Sequence, residues 1–151
     1  MQRKDRTRNE EPRMVPWSVD DTNDVVAVDT TWGKLQPIKA AAGVRAVGEL
    51  ELIELVADGS GLVDCRSAGT TGGRTIPGSL NIPHDQVVSR RDELDRTRLS
   101  ILFCNGPQCP QSAAALHDMV EAGYPAETLA YHRGGIHDWI TLSMPTESID
   151  D

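Results

Sequence analysis

The sequence predicts an α/β fold: a mostly parallel sheet covered on both faces by helices. Two observations lead there. From about residue 40 onward, short apolar runs alternate with stretches of helical periodicity. The apolar runs also lack the in/out alternation of a half-solvated strand, so both of their faces are expected to be covered.

The elements follow in chain order. Gly43 to Val47 is a short strand candidate. Leu50, Ile53, Leu55 and Val56 fit one helical face that stops at Gly59 and Gly61. Gly61–Leu62–Val63–Asp64–Cys65 reads as a buried strand, followed by the Gly-rich loop SAGTTGGRTIPGS and then Leu80–Asn81–Ile82. Residues 85–95 read as a short polar helix. Leu99 to Cys104 is a second strongly apolar strand. Gln111 to Ala122 is helical, with Leu116, Met119 and Val120 on one side and Gly123 as its stop. Leu129–Ala130–Tyr131 is another strand, Gly134–Gly135 a turn, and Ile136 to Leu142 a last helix before Pro145. The domain is expected to span residues 36–147. Residues 1–35 are expected to form a polar, flexible arm, with docking of its Trp17 and Trp32 on the domain as the alternative, and 148–151 an acidic tail.

Composition narrows the function. The chain has 151 residues, enough for one domain that buries a core without staples. Its net charge of −8 argues against nucleic-acid or anionic-membrane partners, which want basic patches. No run approaches the roughly 18–20 apolar residues of a membrane helix. The N-terminus lacks a secretory apolar core, and Asp5, Glu10 and Glu11 argue against a transit peptide. Three cysteines, Cys65, Cys104 and Cys109, are no disulfide framework, so a reducing, cytoplasmic setting is expected. The histidines His84, His117, His132 and His137 show no ligand spacing with the cysteines, so no zinc site is expected.

The segment SILFCNGPQCPQSAAALHDMVEAG concentrates the chemistry. An apolar strand ends at Cys104 and a helix opens near Gln111, and in open α/β sheets ligands bind beyond the carboxyl ends of strands. The loop between can turn backbone N–H groups toward the sulfur. With the helix N-terminus, these are expected to lower the Cys104 pKa. Pro107 and Pro110 lack a donor, which leaves the N–H groups of Asn105, Gly106, Gln108, Cys109, Gln111 and Ser112. Gly106 is expected to allow a backbone conformation other residues avoid. The competing reading of Cys104 is an inert small hydrophobe at a strand end; for Cys65, in mid-strand, that reading is preferred.

From Leu62 to Pro145 the chain resembles the rhodanese-like sulfurtransferase domain. Three segments carry the resemblance in order: LVDCR, RTIPGSLNIP, and LFCNGPQC followed by a helix and YHRGGIHDW. The loop is most similar to a sub-group with Cys-Asn-Gly-Pro-x-Cys. The resemblance implies a three-layer fold with a central parallel sheet and a single-domain enzyme without a metal or organic cofactor; the oligomeric state is left open, with a monomer favoured. It implies that Cys104 is the nucleophile, taking sulfane sulfur from a small donor as a persulfide and passing it to a thiol or cyanide. Asp64 and Arg66 match a pair that ties loops near the site, and Gly134–Gly135 and Trp139 match turn and packing positions.

The departures shape the expectations. The family's loop often carries Arg five residues after the cysteine; here that place is Cys109, which puts thiosulfate in question. Arg74 and Arg133 are the candidates to supply positive charge instead. Cys109 is either a packing residue or a resolving thiol that attacks a Cys104 persulfide and releases hydrosulfide, as a persulfide reductase would. A non-catalytic binding module is the alternative from another class; such members commonly lose the nucleophile, which this chain keeps. A phosphatase of the same fold needs Arg six positions after the cysteine, where Pro110 stands.

Overall fold

A computed structural model describes residues 10–19, 26–29 and 32–150. In chain order the elements are β1 (Trp17–Ser18), β2 (Val26–Ala27), β3 (Arg45–Ala46), α1 (Glu49–Ala57), β4 (Gly61–Asp64), β5 (Arg74–Thr75), β6 (Leu80–Asn81), β7 (Ser100–Phe103), α2 (Gln111–Glu121), β8 (Leu129–Tyr131), α3 (Gly135–Thr141) and β9 (Glu147–Ser148). Five strands form one parallel sheet in the order β3-β8-β7-β4-β6. Two antiparallel pairs, β1–β2 and β5–β9, lie apart from it.

The absence of polar/apolar alternation in the strands has a direct cause: successive side chains enter two different cores. Leu102 and Cys104 point to one face with Val63, Cys65, Leu129 and Tyr131, where they meet Leu116 and Met119 of α2. Ile101 and Phe103 point to the other with Leu62 and Ala130, against Leu52 of α1 and Ile136, Trp139 and Ile140 of α3. The period-2 pleat therefore assigns Cys104 and Tyr131 to the α2 layer. All four residues of β7 are buried, as befits the middle strand of a three-layer fold.

Two local expectations are corrected. Helix α1 buries Leu52, with Leu55 and Val56 half-buried beside it, whereas Leu50 and Ile53 are 71% and 43% exposed. Five apolar residues crowd into Leu50–Val56, so spacing fits more than one face, and packing on Leu62 and Trp139 selects Leu52. Residues 85–95 form two short 3₁₀ turns, His84–Gln86 and Arg91–Glu93, instead of a helix. Val87 and Leu94 are the segment's two buried apolar residues, seven apart, too few anchors to hold a continuous amphipathic helix.

Of the expected N-terminal arm, residues 1–9, 20–25 and 30–31 fall outside the described residues. Val15 and Trp32 of the arm touch the domain: Val15 packs on the α1/α3 core and Trp32 on the α2 core; within the arm, the Arg13 guanidinium lies 4.0 Å from the Trp17 ring centroid. Of the residues read as a tail, Ser148 pairs with Arg74, and the Ile149 amide donates to the Gly73 carbonyl at 3.1 Å. Among the described residues, no helix is long and apolar enough to cross a membrane.

Candidate functional site

Strand β7 delivers Cys104 to the carboxyl edge of the sheet, and α2 starts seven residues later at Gln111. Between them the loop makes one tight turn, closed by the Cys109 amide donating to the Gly106 carbonyl at 3.0 Å. The turn folds Cys109 back onto Cys104, and both thiols are buried, at 3% and 2% exposure. The first turn of α2 faces the Cys104 sulfur: the Ser112 hydroxyl donates to Sγ at 3.2 Å, and the Ser112 amide donates to it as well. Ser112 is itself fully buried, so this hydroxyl is held in place.

The two thiols titrate as a pair. Burial pushes the Cys104 thiol well above its ordinary range, and its hydrogen bond to Cys109 raises it further, against the opposing Ser112 donors. Cys109 is pulled down to about 7, first by the Cys104 S–H donating to it, with added donation from the amides of Gln111 and Asn105. The expected lowering at Cys104 is thus corrected: the loop's donors are divided between two sulfurs, and the first negative charge settles on Cys109. Alkylation by iodoacetamide should therefore rise through a midpoint near pH 7 at Cys109, because the thiolate is the reactive form. In Cys104→Ala the leading donor is gone, and that midpoint should move up toward the free-thiol value of about 8.5. Peptide mapping of the alkylated protein against pH checks both. Cys65, fully buried beneath, is pushed up by burial and stays a neutral core thiol.

Two devices hold the loop from below. At the end of β4 the fully buried Arg66 guanidinium grips Asp64 through both its oxygens, with Nε–Oδ1 at 2.9 Å and Nη2–Oδ2 at 2.6 Å. Its remaining donors reach the carbonyls of Thr71 at 2.9 Å and Arg74 at 2.5 Å, and the Thr75 hydroxyl donates to Asp64 at 2.8 Å. This cluster ties down the Gly-rich loop 67–74. On the other side, the amides of Ile136 and His137 at the start of α3 donate to the carbonyls of Cys104 and Asn105 at 3.0 and 2.8 Å. That approach requires Gly135: its φ is +60°, and a Cβ there would stand 2.3 Å from the Cys104 carbonyl oxygen. Trp139 anchors the other end of α3 by donating from Nε1 to the Pro145 carbonyl at 2.6 Å.

The profile of the family described as "Rhodanese-like domain" matches residues 49–142, well over half of the chain. The chain belongs to the rhodanese-like domain family. Solved structures agree in fold. A rhodanese-related protein of Thermoplasma volcanium is 22% identical, with a TM-score of 0.58 over 68% of this chain and 97% of its own. A thiosulfate sulfurtransferase of Pseudomonas aeruginosa is 22% identical, with a TM-score of 0.59 over 74% of this chain and 21% of its own. The reduced CoADR-RHD of Bacillus anthracis is 25% identical, with a TM-score of 0.56 over 67% of this chain and 17% of its own. A search of curated proteins finds no match.

Above the loop of this rhodanese-like domain lies a cavity of about 470 Å³. From the loop and the start of α2, Asn105, Gln108, Cys109, Pro110 and Gln111 line it, whereas Cys104, Gly106 and Ser112 do not. Its opposite wall is Met14, Trp32, Gly33, Lys34 and Gln36, all preceding the family-matched residues. This wall is pinned at two points: the Gln36 amide donates to the Pro107 carbonyl at 2.8 Å, and Arg133 Nε donates to the Gln36 carbonyl at 2.7 Å. The candidate cations are therefore placed elsewhere. Arg133 is turned onto the backbone of residue 36, and the exposed Arg74 lies in β5 against β9; neither lines the cavity. Gly106 does not have a positive φ; it is needed because a Cβ would meet His137 Cβ at 2.8 Å and Trp32 at 3.4 Å.

Several residues at the site escaped sequence reasoning. Tyr131 lies under Ser112 and Cys104, and burial first, then the Cys104 charge, push its phenol up, so it stays protonated. Its signal was present, since it ends β8 on the α2 side of the pleat. Met14 and Lys34 carried no signal, because their place depends on contacts more than 60 residues away in sequence. His132, which follows β8, does not line the cavity: its Nδ1 meets the Val47 carbonyl at 3.1 Å and its ring packs edge-on with Phe103 and Trp139. His84 does not line the cavity either. Among the described residues, no three His, Cys, Asp or Glu side chains gather as a metal site.

Proposed function

We propose that this rhodanese-like protein is a sulfurtransferase that carries sulfane sulfur as a persulfide on Cys104. The observation that carries the reading is the Cys104 sulfur at the end of the central strand, held by the Ser112 hydroxyl and amide, with the Cys104 thiol donating to the Cys109 carbonyl at 3.7 Å. A buried, inert cysteine needs none of these donors; a sulfur that bears charge during a reaction does. The name of the Pseudomonas aeruginosa neighbour, a thiosulfate sulfurtransferase, is consistent with it.

The chemistry balances without an added oxidant. The Cys104 thiolate attacks the sulfane sulfur of the donor, the donor's S–S bond breaks, and its remaining thiolate or sulfite leaves. The proton of the Cys104 thiol passes first to Cys109, across their hydrogen bond, and is then free to leave with the displaced group. A thiol or cyanide acceptor next attacks the outer sulfur, and the electron pair of the broken S–S bond returns to Cys104 as thiolate. Ser112 and the first turn of α2 stabilise the sulfur anion at both ends of the cycle.

The contact between the thiols supports a second reading, a persulfide reductase. Cys109 thiolate would attack the inner sulfur of the Cys104 persulfide, form a Cys104–Cys109 disulfide and expel hydrosulfide; an external thiol would then reduce the disulfide. Mass spectrometry after treatment with a persulfide donor separates the readings. Transfer predicts a Cys104 adduct of one sulfur in both the wild type and Cys109→Ser. The reductase predicts an internal disulfide and hydrosulfide in the wild type, with the persulfide accumulating only in Cys109→Ser. No sulfur uptake by either protein overturns both readings and favours a binding module.

A further inference from the structure

The cavity over the loop is chemically unlike a thiosulfate site. Its volume of about 470 Å³ falls within the range of organic-ligand pockets, roughly 300–1,000 Å³, and far exceeds what a five-atom inorganic anion fills. A compact dianion is best held by paired guanidinium donors in a fixed fork. Here no Arg lines the wall, since Arg133 is committed to the Gln36 carbonyl. Lys34 is the sole Lys, Arg, Asp or Glu among the described lining residues, in a chain of net charge −8.

The remaining lining suits an amide-bearing ligand. The carboxamides of Asn105, Gln108 and Gln111 and the hydroxyl of Thr70 offer donors and acceptors together. The Trp32 ring and the Met14 thioether supply the apolar surface. Cys109 lines the cavity and accepts a hydrogen bond from the Cys104 thiol at its carbonyl, so a thiol group seated there meets Cys109 with Cys104 next to it. The wall that carries Trp32 and Lys34 precedes the family-matched residues, yet it is pinned to the loop by the Gln36–Pro107 hydrogen bond. Gly33 sits so close to Gln108 that a Cβ would meet its carbonyl oxygen at 2.8 Å.

We infer that residues 14 and 32–36 complete a binding site for a small peptide-type thiol or its persulfide, with a ligand carboxylate at Lys34 and its amides on the loop carboxamides. The inference deepens the sulfurtransferase reading and rests on it for the reactive end of the ligand. The N-terminal segment, not the rhodanese-like domain alone, then sets the choice of substrate.

Two measurements test it on the full chain. The first is calorimetric binding of S-methylglutathione, a peptide thioether that cannot exchange sulfur. Saturable binding is expected in the wild type and in Cys104→Ala. Lys34→Gln should weaken it roughly tenfold, the loss of about 1.4 kcal/mol. The second is the ratio of kcat/KM for glutathione persulfide to that for thiosulfate, which should fall about tenfold in Trp32→Ala, because only the organic donor uses the ring. Absence of binding to the wild type, equal binding by Lys34→Gln, or an unchanged ratio in Trp32→Ala overturns the inference. Failure of the function itself reads differently: S-methylglutathione still binds, but no persulfide forms on Cys104 with any donor.

Discussion

Cys104→Ala is expected to abolish sulfur transfer from thiosulfate, 3-mercaptopyruvate and glutathione persulfide alike, with kcat/KM reduced at least about 10³-fold. No other described thiol takes its place. Cys65 is sealed in the core with its thiol pushed up by burial. Cys109 does reach the cavity, but in this variant it loses the Cys104 thiol, the leading cause of its lowered pKa, and the Ser112 hydroxyl and amide face the position of the missing sulfur instead. The variant should keep its fold, since an Ala at this position removes one buried sulfur and leaves the backbone bonds to α3 in place. Steady-state assays with the three donors, paired with circular dichroism, check both halves. Turnover surviving in Cys104→Ala would sink the persulfide mechanism.

The largest effect on stability is expected at Arg66. Arg66→Met leaves the Asp64 carboxylate without its bidentate partner and the Thr71 and Arg74 carbonyls without their donor. Breaking a buried ion pair from one side costs about 3–5 kcal/mol, because a charge stays behind unpaired. At about 2–4 °C per kcal/mol for a chain of this size, the melting temperature should fall by roughly 6–20 °C. Asp64→Asn combined with Arg66→Met should cost less than the two single changes together, since the stranded charge is then absent. Thermal unfolding followed by circular dichroism tests the series. An Arg66→Met melting temperature equal to the wild type would mean that the cluster does not hold the loop that carries Thr70.

What was legible in the chain follows from local chemistry. Leu99 to Cys104 read as a buried strand because both faces of β7 do meet helices, and the Gly/Pro loop after it marked the carboxyl edge where chemistry collects. The Asp-x-Arg match read as a loop tie, and the guanidinium does hold the carbonyls of Thr71 and Arg74. The face of α1 was not legible, because Leu50, Leu52, Ile53, Leu55 and Val56 satisfy more than one stripe until a partner surface chooses among them. The polar stretch 85–95 carried helical composition without enough buried anchors, and its chain settled into separate turns around Val87 and Leu94.

The electrostatics of the site belonged to another level. Strand ends, stops and the position of Cys104 depend on neighbours within about ten residues, so the order of residue types is enough to predict them; the tie between Asp64 and Arg66 came with the family resemblance instead. Which of two thiols carries the first negative charge depends on how a five-residue turn divides its N–H groups, and on burial, neither of which spacing reports. The direction of Arg133 and the presence of Trp32 and Lys34 over the loop depend on hydrogen bonds spanning some 70 to 100 residues, such as Gln36 to Pro107 and Arg133 to Gln36. Local sequence chemistry placed Cys104 at the carboxyl edge of the sheet; only the folded chain, by bringing a distant segment over its loop, decided the charge and shape of the cavity there.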